Sequence, residues 1–403
     1  MIKSITQEDL DNENYIPDAI FMEDREISIL NIKWLDNSNI LKIKIKNIEK
    51  SIIYLPKYND KESHIENISP QVFMYKFENF YTRIDSSNFH NKTDIIIERI
   101  ENIDTDYCNY RSGNLVLHGN NKAVIRNPKN HTIIEENCLF LGGNGSFNYY
   151  HWLIEIAPKI LLLNQKLISD NKIQTIAVNS LSLEIPQFKE ILDIFTKRLN
   201  FKIKYYQSDQ ILFFKNLYHI NNSNNILFNS KKQLSSPNHC NLSRQLLDEI
   251  REKMLNEKTE ILNSPRKIFL LRDHKKLSKH NKRNYNEKEI YNFFKNQGFV
   301  GIFVEDYSFR EQVYLFNNAD FIVGPTGAFW ANTIFCKKNT LAISWLNNNM
   351  KDFSLFSTLA KYFDCNMFFL KSTEKNENHL HGEYHLDLDK IINLFNKITN
   401  QNL

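Results

Sequence analysis

Across residues 240–346, short apolar runs alternate with segments whose apolar residues recur at helical spacing. The runs RKIFLLRD, FVGIFVED, DFIVG and TLAISWL have the length and composition of buried strands. The segments between them, such as NEKEIYNFFKNQG and SFREQVYLFNNA, place apolar residues three and four positions apart. Strands that alternate with helices in this way are typical of βαβ units around a parallel sheet. This part of the chain is therefore predicted to be a doubly wound α/β domain.

A similar alternation starts near residue 135. The apolar run NCLFLGG leads into NGSFNYYHWLIEIAPKILLLNQKL, which predicts an amphipathic helix because Trp152, Ile156 and Ile160 recur at helical spacing. IQTIAVNS, IPQFKEILDIFTKRL and FKIKYY then follow as strand, helix and strand. Before residue 110, EISILNIKWL and ILKIKIKNI alternate apolar with polar residues, which predicts half-buried strands.

The sequence thus predicts an α/β chain of several parts, since 403 residues make room for two or three domains of about 100–200 residues each. The expected parts are a β-rich N-terminal portion (1–110), a first Rossmann-like domain (111–235), a second Rossmann-like domain (236–365) and a C-terminal tail with a helix (366–403). The polar residues 221–239 are expected to be an interdomain linker or a surface loop.

The composition narrows the class of protein. Hydrophobic residues make up 42% and charged residues 24%, which is normal for a globular chain and unlike a disordered one. A net charge of +4 is too small for a nucleic-acid-binding protein, but it is compatible with an anionic ligand or an anionic membrane surface. The N-terminus lacks an apolar segment and no run approaches about 18 apolar residues, so we expect no signal peptide and no membrane span. The five scattered cysteines form no CxxC pair, so we expect reduced thiols.

A glycine-rich turn precedes the predicted helix at Tyr149. Gly142, Gly143 and Gly145 allow a backbone conformation that other residues resist. Amides exposed at such a turn can bind an anion or a sugar hydroxyl, which makes Asn144 and Gly145 candidate donor-binding residues.

His151 and Glu155 are the candidate catalytic residues. They are four positions apart, so a helix places them on the same face. A histidine beside a carboxylate can act as a general base or hold a reacting hydroxyl. The alternative is that the two side chains only satisfy each other at a domain surface.

A basic segment and a strand exit are the candidate sites for an anion. Arg272 stands at the end of a predicted buried strand, and Arg283 follows a run of lysines, where guanidinium groups suit diphosphate oxygens. For the lysines, a solvated loop is the alternative. Downstream, Gly324, Thr326, Gly327 and Ala328 lie where a strand turns into a helix, and small residues there let a phosphate approach the amides.

Asn332 falls on the next turn and can bind a ligand or cap backbone. The glycine pattern is neither GxGxxG nor a P-loop, which weakens oxidoreductase and NTPase interpretations.

Two short acidic motifs raise the alternative of a metal-dependent transferase. Asp104 and Asp106 form a DTD motif of the kind that holds a divalent ion in one class of sugar-nucleotide transferases. A DLD motif at 387–389 lies at a predicted helix start. Since three-residue matches arise by chance, we expect no metal site.

NYYHWLIEIAPKILLL, together with the later segments KRNYNEKEI and VEDYSFREQVYLFNNADFIVGPTGAFWANTIF, resembles glycosyltransferase family 61 in order and spacing over about residues 140–345. Two sets of residues match the family motifs. The N-terminal motif is matched by His151, Trp152, Glu155 and Pro158, and the donor-side motif by Arg272, Arg283, Asn286, Glu305, Ser308, Gln312, Gly324, Gly327, Ala328 and Asn332.

The resemblance implies an inverting glycosyltransferase of the two-Rossmann GT-B type. It would need no cofactor besides its nucleotide-sugar donor, for which a UDP-sugar is expected, and its acceptor would be a glycan or a lipid-linked glycan. The first Rossmann-like domain would serve the acceptor and the second would bind the donor, with no role for nucleic acid. The resemblance further implies synthesis of a bacterial capsule or surface polysaccharide in the cytoplasm, and peripheral association with the inner face of the cytoplasmic membrane stays open.

Two departures from the family pattern bear on the donor. Thr326 replaces a histidine of the family, and a hydroxyl can donate to a phosphate but carries no positive charge. Lys159 replaces an arginine, which keeps the charge but loses the bidentate fork. Both departures are compatible with a different nucleotide or with a weakened enzyme. A separate alternative is a non-catalytic subunit of a polysaccharide assembly complex that binds a nucleotide sugar or a glycan.

Overall fold

The structure is a computed structural model that describes residues 27–33, 35, 40–58, 61–98, 113–119, 121–127, 130–226, 240–257, 259–273, 284–346, 350–374 and 383–401. The strands up to residue 226 are β1 (Ile27–Lys33), β2 (Leu41–Lys46), β3 (Glu49–Tyr54), β4 (His64–Ser69), β5 (Val72–Arg83), β6 (Asn88–His90), β7 (Asp94–Ile97), β8 (Leu115–Gly119), β9 (Lys122–Arg126), β10 (Thr132–Leu141), β11 (Thr175–Asn179), β12 (Lys202–Tyr206), β13 (Ile211–Ile220) and β14 (Asn225–Ile226). The later strands are β15 (Cys240–Asn241), β16 (Lys267–Leu270), β17 (Val300–Ile302), β18 (Phe321–Pro325), β19 (Leu341–Leu346), β20 (Asn366–Lys371), β21 (Thr373–Glu374) and β22 (Tyr384–His385).

Helices of three kinds connect the strands. The α-helices are α1 (Gln165–Asp170), α2 (Leu181–Glu184), α3 (Pro186–Thr196), α4 (Arg244–Leu255), α5 (Glu287–Asn296), α6 (Phe309–Asn318), α7 (Leu355–Tyr362) and α8 (Leu388–Gln401). A π-helix covers His151–Ile156, and 3₁₀ helices cover Ala157–Leu162, Val304–Asp306 and Ala328–Phe335. No helix in these ranges is long and apolar enough to cross a membrane.

The chain divides into two compact units. The first contains residues 1–49 and 68–233, and the second contains residues 50–67 and 234–403. Both units mix strands and helices, so the α/β class predicted from the alternation is confirmed.

The first unit is built on a sheet with eleven strands in the described part of the chain. Strands β10, β11 and β12 run parallel in the order β12-β11-β10, as the first alternating block predicted. β13 follows β12 after only residues 207–210 and pairs with β10 on its other side. Its apolar faces pack into a core that includes Phe77, Phe140 and Phe214.

The β-rich N-terminal portion is not separate from this sheet. β5 pairs antiparallel with β13 over Met74–Arg83, so the sheet continues across the predicted boundary at residue 110. β5 escaped the sequence analysis although VFMYKFENFYTR is rich in aromatic residues. The predicted linker is described only over 221–226, which includes β14, and residues 227–239 lie outside the described part.

The second unit is a doubly wound sheet. Its five described strands are all parallel and lie in the order β17-β16-β18-β19-β20. In order of sequence this is 2-1-3-4-5, in which β16 and β18 are neighbours whose following connections diverge. Ligands bind at this switch point in open α/β sheets. The doubly wound prediction for the second block is therefore confirmed, and the two strand exits that matter are those of β16 and β18.

The second unit also takes up a hairpin from early in the chain. β3 and β4 pair with each other, and the amide of Tyr54 donates to Oγ1 of Thr358 at 3.0 Å. Glu62 forms an ion pair with Lys361 at 2.8 Å. Both partners lie on α7, so residues 50–67 pack on a helix that is about 300 positions later in the sequence.

Candidate functional site

His151 and Glu155 form the hydrogen-bonded pair that their spacing predicted. Nδ1 of His151 lies 2.7 Å from Oε2 of Glu155. The side chain of Glu155 is 0% exposed and that of His151 is 12% exposed, so the histidine is the member that solvent reaches. A carboxylate at Nδ1 favours the tautomer with its proton on that nitrogen and leaves Nε2 as the basic nitrogen.

The helix that carries this pair is not the amphipathic α-helix expected from the sequence. His151–Ile156 is a π-helix, and Ala157–Leu162 is a 3₁₀ helix with Pro158 near its start. Residues from Trp152 to Ile160 are buried on every side of the segment. The prediction of an amphipathic helix was wrong because apolar residues at positions three and four apart also fit a helix that is buried all round. Single-turn π-helices occur often at functional sites.

The glycine-rich turn packs directly against His151. Gly145 has φ of +81°, and a Cβ on it would lie 2.3 Å from Cδ2 of the His151 ring. Glycine is therefore required here twice, for its backbone conformation and for the space that the imidazole occupies.

The amides of the turn are partly engaged inside the protein. The amide of Gly143 donates to the carbonyl of Ile84 at 2.9 Å, and that of Asn144 donates to Oγ of Ser87 at 2.9 Å. These bonds argue against Asn144 as an amide donor to an anion. Asn144 and Gly145 also belong to the first unit, whereas the other candidate donor-binding residues belong to the second.

A buried charged cluster in the first unit was missed by the sequence analysis. Oε2 of Glu98 lies 3.1 Å from Nε2 of His219, and Oε1 accepts from the amide of Asn222 at 2.6 Å. Burial by itself would raise the pKa of Glu98, but the charge of Lys159 and these hydrogen bonds lower it to about 2. Burial and repulsion by Lys159 lower the pKa of His219, which is therefore a neutral imidazole at neutral pH. These residues come from separate segments, so no local pattern could have found them.

In the second unit, Arg272 and Thr326 lie side by side at the switch point. The register of β16 with β18 pairs Phe269 with Val323, so residues 272 and 326 follow at matching positions beyond the two strands. A guanidinium N–H of Arg272 donates to the carbonyl of Thr326, and Oγ1 of Thr326 donates to the carbonyl of Trp345. Arg272 is buried, so its charge is held in place by the fold. A buried guanidinium at a strand exit is suited to bind an anion.

Gly324 and Gly327 support this edge of the sheet. A Cβ on Gly324 would lie 2.6 Å from Cβ of Leu270, so glycine allows β18 to pack closely beside β16. Gly327 precedes the helix, and Ala328 is its first residue. The predicted helix is a 3₁₀ helix of 8 residues.

Trp345, whose carbonyl accepts from Thr326, belongs to an aromatic cluster. The sequence analysis also missed this cluster. The rings of Tyr285 and Tyr384 stack at 5.2 Å with 4° between their planes, and Nε1 of Trp345 donates to the Tyr384 hydroxyl at 2.9 Å. Burial and the nearby Glu287 raise the pKa of Tyr285 well above its usual value. The positive charge of Arg272 acts in the opposite direction but does not outweigh them. The phenol therefore stays neutral beside the arginine. Tyr285 belongs to the quoted segment KRNYNEKEI, which was the available signal.

Other residues of the donor-side motif hold helices together. Ser308 caps α6 in a capping box with Glu311, as predicted from their spacing. The Nδ2 group of Asn332 donates to Oε1 of Gln312 at 3.1 Å, and Asn332 is fully buried. This placement argues against a direct contact of Asn332 with a donor. Glu305 is exposed in the 3₁₀ helix Val304–Asp306, and its role stays a prediction.

Asn286 does not make the capping hydrogen bond expected from its spacing to Glu289. Its Nδ2 group donates to Oε2 of Glu289 at 2.7 Å and to the carbonyl of Leu386 at 2.9 Å. The amide of Leu386 in turn donates to its Oδ1 atom at 3.0 Å. Asn286 thus ties α5 to the segment before α8.

The remaining candidates are outside the described residues or are structural. Arg283, the lysines before it and the Asp104–Asp106 motif lie outside the described part. Asp387 of the DLD motif accepts from the amides of Asp389 and Lys390 at 3.1 and 3.3 Å, which is the geometry of a helix cap. No group of three or more metal-ligating side chains is arranged to hold an ion within the described ranges.

The two α/β units, the histidine–carboxylate pair and the buried arginine at a switch point are the features of an α/β enzyme. Residues 149–343 match the family described as Glycosyltransferase 61. The match covers just under half of the chain, and it supports a member of that family with glycosyltransferase activity. The match begins two residues before His151 and ends in β19, so it includes both candidate sites. No curated protein matches the chain.

Proposed function

We propose that the chain transfers a sugar from a nucleotide-sugar donor, a UDP-sugar by preference, to a glycan or a lipid-linked glycan. The observation that carries this proposal is the placement of Arg272 beside Thr326 at the switch point of the parallel sheet. A diphosphate there would meet a buried guanidinium and the start of the 3₁₀ helix.

The leaving group of this reaction is a nucleoside diphosphate, on which negative charge develops as the sugar departs. A positive charge already held at that position stabilises the transition state without reorganisation. In this proposal Arg272 supplies the charge and no further cofactor is needed. Thr326 stands where the family has a histidine, and its hydroxyl proton is donated to the carbonyl of Trp345.

We assign the acceptor side to the first unit, with His151 as the general base. Nε2 would take the proton of the acceptor hydroxyl as its oxygen attacks the anomeric carbon, and Glu155 would stabilise the resulting imidazolium. A single displacement of this kind inverts the anomeric configuration. Glu155 is the less suitable base because its side chain is fully buried.

The proposal extends to a GT-B enzyme and to surface polysaccharide synthesis at the cytoplasmic side of a membrane. The support for the first point is that each unit contains parallel strands joined through helices. The support for the second is the sequence resemblance alone.

Thermal shift with UDP, GDP and CMP, and with their sugars, tests the donor site. A nucleotide at 100 times its Kd stabilises the folded protein by about 2.7 kcal/mol, which is measurable as a rise in Tm. We expect UDP to give the rise. No response to any of these compounds would contradict the donor assignment, and a response without release of sugar would favour the non-catalytic alternative.

Two arginines that flank β16 provide a matched comparison. Arg272→Lys keeps the charge but loses the guanidinium fork, so we expect the Kd for the nucleotide to rise about 10-fold or more, in line with ~1.5–3 kcal/mol for a charged hydrogen bond. Arg266 lies at the other end of β16 and pairs with Asp320 at 2.8 Å on the surface. Arg266→Lys should leave the Kd unchanged, and equal effects of both changes would count against the switch-point site.

The base is tested by His151→Ala and Glu155→Gln. We expect turnover to fall by about 10²–10⁴-fold for His151→Ala, the usual contribution of a general base. The nucleotide Kd should not change, because Arg272 and the switch point lie in the other unit. Near-normal turnover in both variants would show that the pair is not catalytic.

A further inference from the structure

The π-helix contains a backbone carbonyl that an α-helix could not satisfy. Ile154 lies between His151 and Glu155, and the residue four positions later is Pro158. Proline has no N–H, so the Ile154 carbonyl cannot accept the hydrogen bond that an α-helix would give it. Ile154 is fully buried, which keeps its carbonyl away from bulk water.

Asn224 donates to this carbonyl from a different part of the chain. Its Nδ2 group lies 2.9 Å from the Ile154 oxygen, and Asn224 is itself only 1% exposed. A buried polar group without a partner destabilises the fold by about 1–3 kcal/mol, so this amide is a strong reason for the segment to keep its form.

The loop that presents Asn224 is held at several points. The amide of Asn222 donates to Glu98, whose other carboxylate oxygen contacts His219. Oδ1 of Asn221 accepts from the amide of Phe73 at 2.7 Å, and its Nδ2 group donates to the carbonyl of Gln71 at 2.9 Å. Asn224 therefore reaches the π-helix from a loop whose preceding residues are anchored to Gln71, Phe73 and Glu98.

We infer that Asn224 is a positioning residue for the His151–Glu155 pair, which it acts on through the Ile154 carbonyl. The hydrogen bond holds the middle of the π-helix, and the helix sets the direction in which His151 points. Glu98 supports the same arrangement by holding the loop through Asn222. The catalytic meaning of this inference rests on the proposed function, whereas its structural part can be tested without any activity.

The test compares Asn224→Leu with Asn137→Leu. Leucine keeps the branching of asparagine at Cγ, is larger, and donates no hydrogen bond. Asn137 also lies in the first unit, where its Nδ2 group donates to the carbonyl of Asn171 at 2.8 Å. Both changes thus remove one side-chain hydrogen bond to a carbonyl, and only the first one touches the π-helix.

The first readout is the imidazole proton on Nδ1 of His151 in NMR spectra of the full chain, assigned by its loss in His151→Gln. We expect the signal in the unchanged protein and in Asn137→Leu, because the bond to Glu155 shields the proton from exchange. In Asn224→Leu the signal should shift or disappear. An unchanged signal in folded Asn224→Leu would overturn the inference.

The second readout separates kcat from the KM for the donor. A displaced base costs about 10–100-fold in rate, so kcat of Asn224→Leu should fall by that factor with the donor KM within about twofold. Asn137→Leu should keep its kcat, and equal losses in both variants would reduce Asn224 to a stabilising role. If Asn224→Leu does not fold, Asn224→Ser removes the same side-chain amide with a smaller change in shape. We expect the same NMR and kinetic results for this variant.

These readouts keep the two claims apart. Absence of transfer by the unchanged protein with every donor would contradict the proposed function, while the NMR result would still decide whether Asn224 holds the His151–Glu155 pair.

Discussion

At the scale of single residues, the contact between Gly145 and His151 gives a sharp test of the site. Gly145→Ala would place a methyl group 2.3 Å from the imidazole and force either the ring or the turn to move. We expect kcat to fall by about 10–100-fold, the size of effect that misplacement of a reacting group produces. The measurement is sugar transfer at saturating donor.

Gly298 provides the control for the backbone strain in that experiment. It has φ of +83°, close to the +81° of Gly145, but a Cβ on it would meet nothing within 4 Å. Both alanine variants should lose about 1 kcal/mol of stability from the left-handed backbone. Gly298→Ala should retain full activity, and if it loses as much as Gly145→Ala, strain rather than contact with His151 is responsible.

The residues that sequence could identify are those whose partners lie nearby in the chain. His151 and Glu155 are four apart, and Ser308 and Glu311 are three apart, so helix geometry alone predicts each contact. Glu98 and His219 are 121 positions apart, and Asn224 is 70 positions from Ile154. Such contacts depend on strand pairing across the sheet, which a single sequence does not define.

At the scale of elements, Ser308 separates a capping role from donor binding. The Ser308 hydroxyl accepts from the amide of Glu311, and the Glu311 carboxylate accepts from the amide of Ser308. Ser308→Ala should lower the free energy of unfolding by about 1 kcal/mol, which is typical for loss of an N-cap. Urea unfolding checks this value, and nucleotide titration should give an unchanged Kd.

Ser308→Asp completes that comparison. Aspartate is an equally good N-cap residue, so it should restore most of the stability that alanine removes. A donor-binding serine would behave differently, because a carboxylate near a diphosphate repels it. Weakened nucleotide binding in Ser308→Asp, with normal stability, would therefore restore the donor role that the family motif implied.

The positions of strands and helices were easier to predict from the sequence than the type of each helix. Strands β16, β18 and β19 are short apolar runs bounded by loops, and their positions agree with the sequence. The segments after β10 and β18 were predicted as ordinary helices, yet they are π- and 3₁₀-helices. Apolar periodicity is similar for these forms over one or two turns, and the choice among them depends on contacts such as that of Asn224.

At the scale of the whole molecule, the second unit includes an early segment of the chain that composition could not assign to it. Residues 50–67 belong to the second unit although they precede most of the first. The amide of Phe369 donates to the carbonyl of Lys57 at 2.8 Å, one of the contacts that place the hairpin there. A pattern read along the chain finds strands in this region but not the unit to which they belong.

The two units should also differ in their response to acid. Among the described residues, the histidines with a lowered pKa all lie in the first unit. Burial lowers the pKa of His90 and of His118 to about 4, and burial with the charge of Lys159 lowers that of His219. In the unfolded chain each would titrate near 6.5. Between these two pKa values the unfolded state binds more protons than the folded state. The stabilisation that each neutral buried histidine represents is therefore complete above pH 6.5 and is lost as the pH falls toward 4.

This difference predicts that the first unit unfolds before the second on acidification. Each histidine with a pKa near 4 loses about 2 kcal/mol of stabilisation between pH 6.5 and pH 5. Glu98, with a pKa of about 2, adds a further loss only below about pH 4.5.

Pulse proteolysis in urea at pH 7.5 and pH 5, with fragments assigned by mass, measures this difference between the units. Residues 68–226 should be cleaved at a lower urea concentration at pH 5 than at pH 7.5. His118→Phe removes one titrating group and should reduce this pH dependence by about one proton. Equal sensitivity of both units, or an unchanged slope in His118→Phe, would contradict neutral buried histidines in the first unit.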